Sequence, residues 1–128
     1  MTKARVEVLA DGLAFPEGPA FSPRGELWFV EIEAGNIVRL EDGRLDRIHT
    51  GGVPNGMTFD AAGRAWFCDR EHHVIRAYDP AADEWDTMCE TASGRTLSKP
   101  NDLAFDVAGN LVFTCPNYTP TDPAGSVV

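Results

Sequence analysis

The apolar residues of this chain fall into short runs that recur within a fixed frame. The pattern F-x-x-x-G-x-x-x-F occurs three times, at Phe21/Gly25/Phe29, Phe59/Gly63/Phe67 and Phe105/Gly109/Phe113. In each copy the apolar run ends at a Ser or Asp, two residues intervene, and a glycine precedes the next apolar run. Glycine supplies the left-handed backbone that a tight turn requires. Each copy therefore predicts a β-hairpin.

Further strands are predicted around these hairpins. The run Glu26 to Ile32 is apolar on both faces, which suits a strand covered on both sides. Val6 to Ala10 predicts an additional strand at the N-terminus. Two weaker strands follow in each of the first two copies, at 36–40 and 45–49 and then at 74–79 and 85–89. Four strands in a period of about 40 to 50 residues are typical of a β-propeller blade.

The repeat therefore predicts an all-β chain that forms a partial β-propeller. The expected organisation is one unit over 1–128, with an N-terminal strand within 1–14, blade 1 at about 15–50, blade 2 at about 51–91 and an incomplete blade 3 at about 98–128. A β-sandwich also strings short strands together, but it does not require the same Phe and Gly positions to recur. A closed propeller needs at least four blades, so we expect either a fragment or blades that find partners.

Composition narrows the range of functions. A hydrophobic content of 43% is enough for a core. The net charge of -9 argues against a nucleic-acid partner and favours cations as ligands. Cys68, Cys89 and Cys115 are far apart and predict buried free thiols, with neither a disulfide framework nor a zinc site. No apolar run is long enough for a signal peptide or a membrane span, so the expected protein is soluble and cytoplasmic.

Three oxygen-bearing side chains occupy one repeated position, four residues before the first Phe of each copy. They are Glu17, Asn55 and Asn101. In a propeller these positions converge at one end of the central channel, and carboxylate and amide oxygens suit calcium better than zinc. The alternative is that Asn55 and Asn101 are ordinary turn residues. Glu17 is flanked by apolar and proline residues and is therefore expected to need a partner.

Other polar clusters carry less functional information. His72 and His73 are adjacent, so on a regular strand they point in opposite directions and cannot chelate one ion, and a solvated loop is expected. Three further acidic residues are expected to form a turn between strands, namely Asp79, Asp83 and Asp86. The motifs G-x-S-x-G and G-x-G-x-x-G and the P-loop are absent from the sequence, so covalent serine catalysis and nucleotide binding have no support.

Two of the repeat copies contain motifs that point to a family. The segments F-P-E-G-P-A-F at 15–21, K-P-N-D-L-A-F at 99–105 and G-N-L-V-F-T at 109–114 resemble the senescence-marker-protein, gluconolactonase and regucalcin-like family, and the resemblance runs over essentially the whole chain. It implies a six-bladed propeller, of which this chain is about half, and a divalent metal, usually calcium. It also implies hydrolysis of a sugar lactone or related cyclic ester.

The resemblance carries over to individual residues. It implies that Glu17 ligates the metal, that Asn101 ligates the metal or contacts substrate, and that Lys99 contacts sugar hydroxyls. Asn55 is expected in the same substrate-binding pocket. Cys115 departs from the family, since many relatives have Asp there, and the family's remaining metal ligands come from later blades that have no residues in this chain. The general base is not assigned.

Two other functions stay open from the sequence. One is phosphotriester hydrolysis at the same calcium site, and the other is a non-catalytic propeller that binds a partner. The expected ligand is a small lactone or ester, with neither nucleic acid nor membrane as a partner. Self-association through open blade edges is also predicted.

Overall fold

The computed structural model describes residues 2–116 and 125–128. All regular secondary structure in this part of the chain is β-strand. The strands are β1 Pro16–Phe21, β2 Leu27–Glu31, β3 Asn36–Glu41, β4 Arg44–His49, β5 Pro54–Phe59, β6 Ala65–Asp69, β7 Val74–Asp79, β8 Glu84–Cys89, β9 Thr91–Ala92, β10 Arg95–Thr96, β11 Leu103–Phe105, β12 Leu111–Cys115 and β13 Ser126–Val127. No helix among these residues could cross a bilayer.

The strands form consecutive antiparallel sheets. Sheet 1 has the order β1-β2-β3-β4, sheet 2 has the order β5-β6-β7-β8, and sheet 3 has the order β11-β12-β13. A two-stranded ribbon of β9 and β10 joins sheets 2 and 3 along the chain. The prediction of an all-β chain built from repeated strand units is confirmed, and the weaker strands predicted in the first two copies are all present.

The first hairpin of each sheet closes with the same turn. The glycine N–H donates to the carbonyl three residues earlier, from Gly25 to Ser22 at 2.8 Å, from Gly63 to Asp60 at 3.1 Å and from Gly109 to Asp106 at 3.1 Å. The three glycines have φ values of 83°, 88° and 86°, which is the left-handed region. The glycines of the repeat are thus turn residues, as the sequence predicts.

The predicted N-terminal strand is wrong. Residues 2–11 have no regular structure, and Val6, Val8 and Leu9 are 87%, 78% and 62% exposed. A strand exists only when its backbone pairs with a neighbour. Val6 to Ala10 pairs with no strand among the described residues, so its apolar pattern does not produce one.

The core lies between the sheets. One cluster joins sheets 1 and 2 and includes Trp28, Val30 and Phe67. A second cluster joins sheets 2 and 3 and includes Cys68 and Phe113. Phe67 and Cys68 are successive residues of β6, and side chains of a strand alternate between its faces, so β6 contributes to both clusters. Sheet 2 is therefore covered on both faces.

The cysteines are free thiols. Cys68 and Cys115 are buried and Cys89 is half-buried. Burial raises the pKa of both Cys68 and Cys115. The buried thiols are therefore neutral at ordinary pH.

Candidate metal and substrate site

The two asparagines of the repeated position meet where the first strands of sheets 2 and 3, β5 and β11, begin. Asn55 lies in β5 and is only 6% exposed. Its Nδ2 donates to Oδ1 of Asn101 at 2.7 Å, although 46 residues separate the two. Of the three side chains predicted to converge, Asn55 and Asn101 are therefore in contact. Asn55 is a strand residue, so the alternative that it is an ordinary turn residue is wrong.

Glycines allow the first strands of neighbouring sheets to lie close together at the asparagine pair. A Cβ atom on Gly18 would lie 2.8 Å from the carbonyl oxygen of Asn55, and one on Gly56 would lie 2.6 Å from Cα of Asp102. The Gly56 N–H donates to the Asn101 carbonyl at 2.7 Å. Each glycine directly follows an oxygen-bearing residue of the repeat. The backbone of one sheet therefore packs against the next sheet at the candidate site.

Bulges redirect the side chains at the same place. The pairing of β1 with β2 shifts register between Glu17 and Ala20, and the pairing of β5 with β6 shifts between Pro54 and Met57. A bulge bends the strand locally and re-aims a side chain. The repeat thus places a bulge beside Glu17 and beside Asn55, near the start of β1 and of β5.

Glu17 is more exposed than the sequence suggests. Its Oε2 accepts the N–H of Gly18 at 3.0 Å, and the residue is exposed. The expectation that Glu17 has a partner stays a prediction, because water can solvate the exposed carboxylate. Glu17 lines a surface pocket together with Leu13, Pro16 and Pro19.

Lys99 precedes the site in an unusual backbone conformation. Its φ is 47°, which is rare for a residue other than glycine, and it lies just before the buried Pro100. The Lys99 N–H donates to Nδ1 of His73 at 3.0 Å. Two residues later the Asn101 N–H donates to the carbonyl of Thr114 at 2.9 Å. The segment that leads to Asn101 is therefore held by sheet 2 and by β12, and the Lys99 side chain is left exposed.

A buried carboxylate in sheet 1 was not found by the sequence reasoning. Glu31 is 2% exposed and accepts hydrogen bonds from Arg47 at 2.9 and 3.2 Å, from Nδ2 of Asn36 at 3.0 Å and from the Ala14 N–H at 3.2 Å. The hydrogen bond from Arg47 outweighs burial and lowers the pKa of Glu31 to about 2. Glu31 fixes the end of β2 to β4 and to the segment before β1.

Asp69 occupies the corresponding position in sheet 2. It is fully buried, and its Oδ1 accepts the N–H groups of Val53, Glu71 and His72 at 3.1 to 3.3 Å. Burial raises the pKa of Asp69, but the hydrogen bonds from His72, Val53 and Arg76 outweigh it, and the net pKa is lowered. Asp69 ties the turn at 70–73 to the residues that lead into β5 and Asn55.

The sequence repeat contains a pattern from which the buried carboxylates Glu31 and Asp69 could have been predicted. The residue two positions after the second Phe of each copy is Glu31, Asp69 or Cys115. Glu31 and Asp69 are buried carboxylates that accept hydrogen bonds from backbone N–H groups and from arginine side chains. Cys115 is a buried neutral thiol. Sheet 3 therefore lacks the charged anchor at Cys115 that sheets 1 and 2 have.

The family model described as "SMP-30/Gluconolactonase/LRE-like region" matches residues 15–128, which is most of the chain. The chain belongs to this SMP-30/gluconolactonase family. A curated gluconolactonase from Zymomonas mobilis is 26% identical over 129 residues, which cover 88% of this chain and 36% of that protein.

Solved structures agree in fold. A gluconolactonase from Xanthomonas campestris is 26% identical with a TM-score of 0.81, and the match covers 93% of this chain and 44% of that chain. A calcium-binding protein, regucalcin, from Agrobacterium tumefaciens is 16% identical with a TM-score of 0.66, covering 91% of this chain and 46% of that one. The chain thus spans less than half the length of each of these three proteins.

The donor set at the site has the chemistry of a hard-cation site. It contains the amide oxygens of Asn55 and Asn101, and Glu17 holds the equivalent repeat position in sheet 1; among the described residues no group of three or more His, Cys, Asp or Glu could hold a metal. Calcium prefers oxygen ligands and takes six to eight of them. The two amide oxygens are of the kind that calcium takes as ligands, and they could supply only a small part of its coordination sphere.

Proposed function

We propose that this chain supplies part of the active site of a metal-dependent hydrolase that opens sugar lactones or related cyclic esters. Membership of the SMP-30/gluconolactonase family supports the reaction class. The observation that carries the proposal is the 2.7 Å contact between Asn55 and Asn101. It joins two polar side chains from equivalent repeat positions at one place, which is how a binding site forms from distant segments.

The proposed architecture is half of a six-bladed propeller. Sheets 1 and 2 would be two four-stranded blades, and sheet 3 would belong to a third blade. The innermost strands support this arrangement, since β5 contacts both β1 and β11. The likeness to the Xanthomonas campestris gluconolactonase over 44% of its length supports it as well.

Calcium is the proposed metal. Glu17 would contribute a carboxylate oxygen and Asn101 an amide oxygen, and the regucalcin with the same fold is named as a calcium-binding protein. A bound divalent cation would supply Lewis-acid polarisation of the lactone carbonyl. Only one of these two ligands is charged, so removal of the Glu17 charge should weaken binding most.

The remaining polar groups would position the substrate. The amide of Asn55 holds the amide of Asn101 in one orientation, and its burial limits alternative rotamers. The Lys99 ammonium lies on a flexible, exposed side chain and can donate up to three hydrogen bonds to sugar hydroxyls. We therefore propose Asn55, Lys99 and Asn101 as substrate-binding residues.

A calcium titration of the 128-residue chain followed by amide NMR tests the metal site. We expect shifts at Gly18, Asn55 and Asn101 with an affinity near 10⁻³ M, because the chain provides few of the six to eight oxygens that calcium takes. Glu17→Gln should remove these shifts. The matched control is Glu33→Gln, which neutralises another exposed carboxylate and should leave them unchanged.

Equal calcium responses in the parent and in Glu17→Gln would remove Glu17 from the metal site. The reaction class is tested separately in a chain extended to the length of the gluconolactonase relatives. Proton release from glucono-δ-lactone is the expected activity. Hydrolysis of a nitrophenyl phosphotriester instead would assign the phosphotriesterase reaction, and the absence of both activities together with absence of calcium binding would favour a binding module.

A further inference from the structure

Two adjacent histidines use their Nδ1 atoms in opposite ways. They lie in the turn at 70–73 that joins β6 to β7. Nδ1 of His72 is 2.8 Å from Oδ2 of Asp69, whereas Nδ1 of His73 is 3.0 Å from the backbone nitrogen of Lys99. A carboxylate with a lowered pKa only accepts, and a backbone N–H only donates. Nδ1 of His72 therefore carries a proton, and Nδ1 of His73 does not.

We propose that His73 is a positioning residue for the candidate site, because its unprotonated Nδ1 holds the segment from Lys99 to Asn101 in place. Protonation of His73 puts a hydrogen on the atom that accepts the Lys99 N–H, so the contact is lost. The functional meaning of Lys99 and Asn101 rests on the proposed function. The contact itself does not depend on it.

The conformation of Lys99 explains why a holding contact is needed. A φ of 47° in a residue other than glycine is costly, and it persists only when the surroundings impose it. The next residue, Pro100, is buried and has no N–H, so the Lys99 N–H is the last backbone donor before Asn101. The bond to His73 ties this strained residue to the turn of sheet 2. Its loss frees the backbone that presents the Lys99 side chain.

The sign of the pH dependence follows from the donor and acceptor roles. The contact needs an Nδ1 without a proton, so it is present when the His73 ring is neutral and is lost when acid protonates that atom. The charged residue of the facing segment is Lys99, which meets His73 through its backbone N–H.

The charges on the same turn do not reverse this sign. Asp69 is already engaged by His72 and Arg76, and Arg70 and Glu71 carry opposite charges. A second proton on His72 goes to Nε2 and leaves its contact with Asp69 intact. The two histidines therefore respond differently to acid, and His73 alone loses its partner.

Solvent-exchange protection of the Lys99 amide, measured by NMR on the 128-residue chain at pH 7.5 and pH 5.5, tests the proposal. After correction for intrinsic exchange, we expect protection to fall by about three- to tenfold at pH 5.5, which corresponds to the loss of one ordinary hydrogen bond. The Thr50 amide of sheet 1, which donates to the backbone carbonyl of Gly35, is the internal reference. The measurement uses neither metal nor lactone.

Two substitutions at His73 test whether the protection of the Lys99 amide depends on the hydrogen-bond acceptor or on the fold of the turn. His73 has a φ of 58°, which asparagine and glycine both tolerate. His73→Asn keeps an acceptor that does not titrate, so Lys99 should be protected equally at both pH values. His73→Gly removes the acceptor, so protection should be low at both. His72→Asn should leave the behaviour of Lys99 as in the parent.

A Lys99 amide with the same protection at pH 7.5 and 5.5 in the parent would overturn the proposal, and so would a pH dependence that persists in His73→Asn. These outcomes are distinguishable from failure of the proposed function. A pH-dependent Lys99 amide in a chain whose Glu17→Gln variant binds calcium normally would sustain the role of His73 and remove the metal site.

Discussion

The buried charge of Glu31 offers a quantitative test of the anchoring described above. Glu31→Gln keeps the size of the side chain and removes its charge. The carboxylate is 2% exposed, and its donors are Arg47, Asn36 and the backbone of Ala14. The variant leaves these donors with one acceptor oxygen in place of a carboxylate. We therefore expect a loss of stability at neutral pH.

The size of the loss follows from the pKa. The pKa of Glu31 is lowered from 4.5 to about 2. A change of this size corresponds to about 3 kcal/mol of folding free energy at neutral pH. The Arg47 side chain is 42% exposed, so solvent screens the pair, and we expect about 2 kcal/mol.

The sign of the pH dependence is fixed by the direction of the shift. Because the pKa is lower in the folded protein, the stabilisation is fully present above about pH 4.5 and is lost as pH falls toward about 2. Urea unfolding at pH 7 and pH 3 measures it. Glu31→Gln should be less stable than the parent at pH 7, and the difference should be smaller at pH 3.

Glu33→Gln is the matched control, because Glu33 is two residues away and exposed. It should unfold like the parent at both pH values. The reasoning would be refuted if Glu31→Gln and Glu33→Gln had equal stability at pH 7. A deficit of Glu31→Gln that did not change between pH 7 and pH 3 would also refute it, since the loss would then come from packing and not from charge.

Phe29→Ala and Phe67→Ala should each destabilise the fold by about 3 to 5 kcal/mol, because both rings are buried; unchanged urea midpoints would argue that the repeat is not structural. The 128-residue chain by itself should show no lactonase activity and should self-associate, because it carries few metal ligands and exposes apolar residues such as Phe21 and Val112. Light scattering coupled to size-exclusion chromatography, with a lactone assay, checks this, and a monomer that hydrolyses lactones would contradict it.

Local features of the fold were predictable from the sequence alone. The glycines of the repeat adopt left-handed backbone in all three hairpin turns. The apolar run that follows the first of them forms the buried strand Leu27–Glu31. Both results depend on residues close together in the chain: a glycine tolerates positive φ wherever it stands, and an uninterrupted apolar run must be covered on two faces.

The candidate site depended on the packing of one sheet against the next. The sequence placed Glu17, Asn55 and Asn101 at equivalent positions, but the contact between the asparagines required Gly56 to lie against the backbone of 101 and 102. Burial of carboxylates followed the same rule. Glu17 has apolar neighbours in sequence and is exposed, whereas Glu31 is buried because Arg47 and the Ala14 backbone enclose it. Whether a polar group is solvated or paired is decided by segments that approach from elsewhere in the chain, and only the tertiary structure brings those segments together.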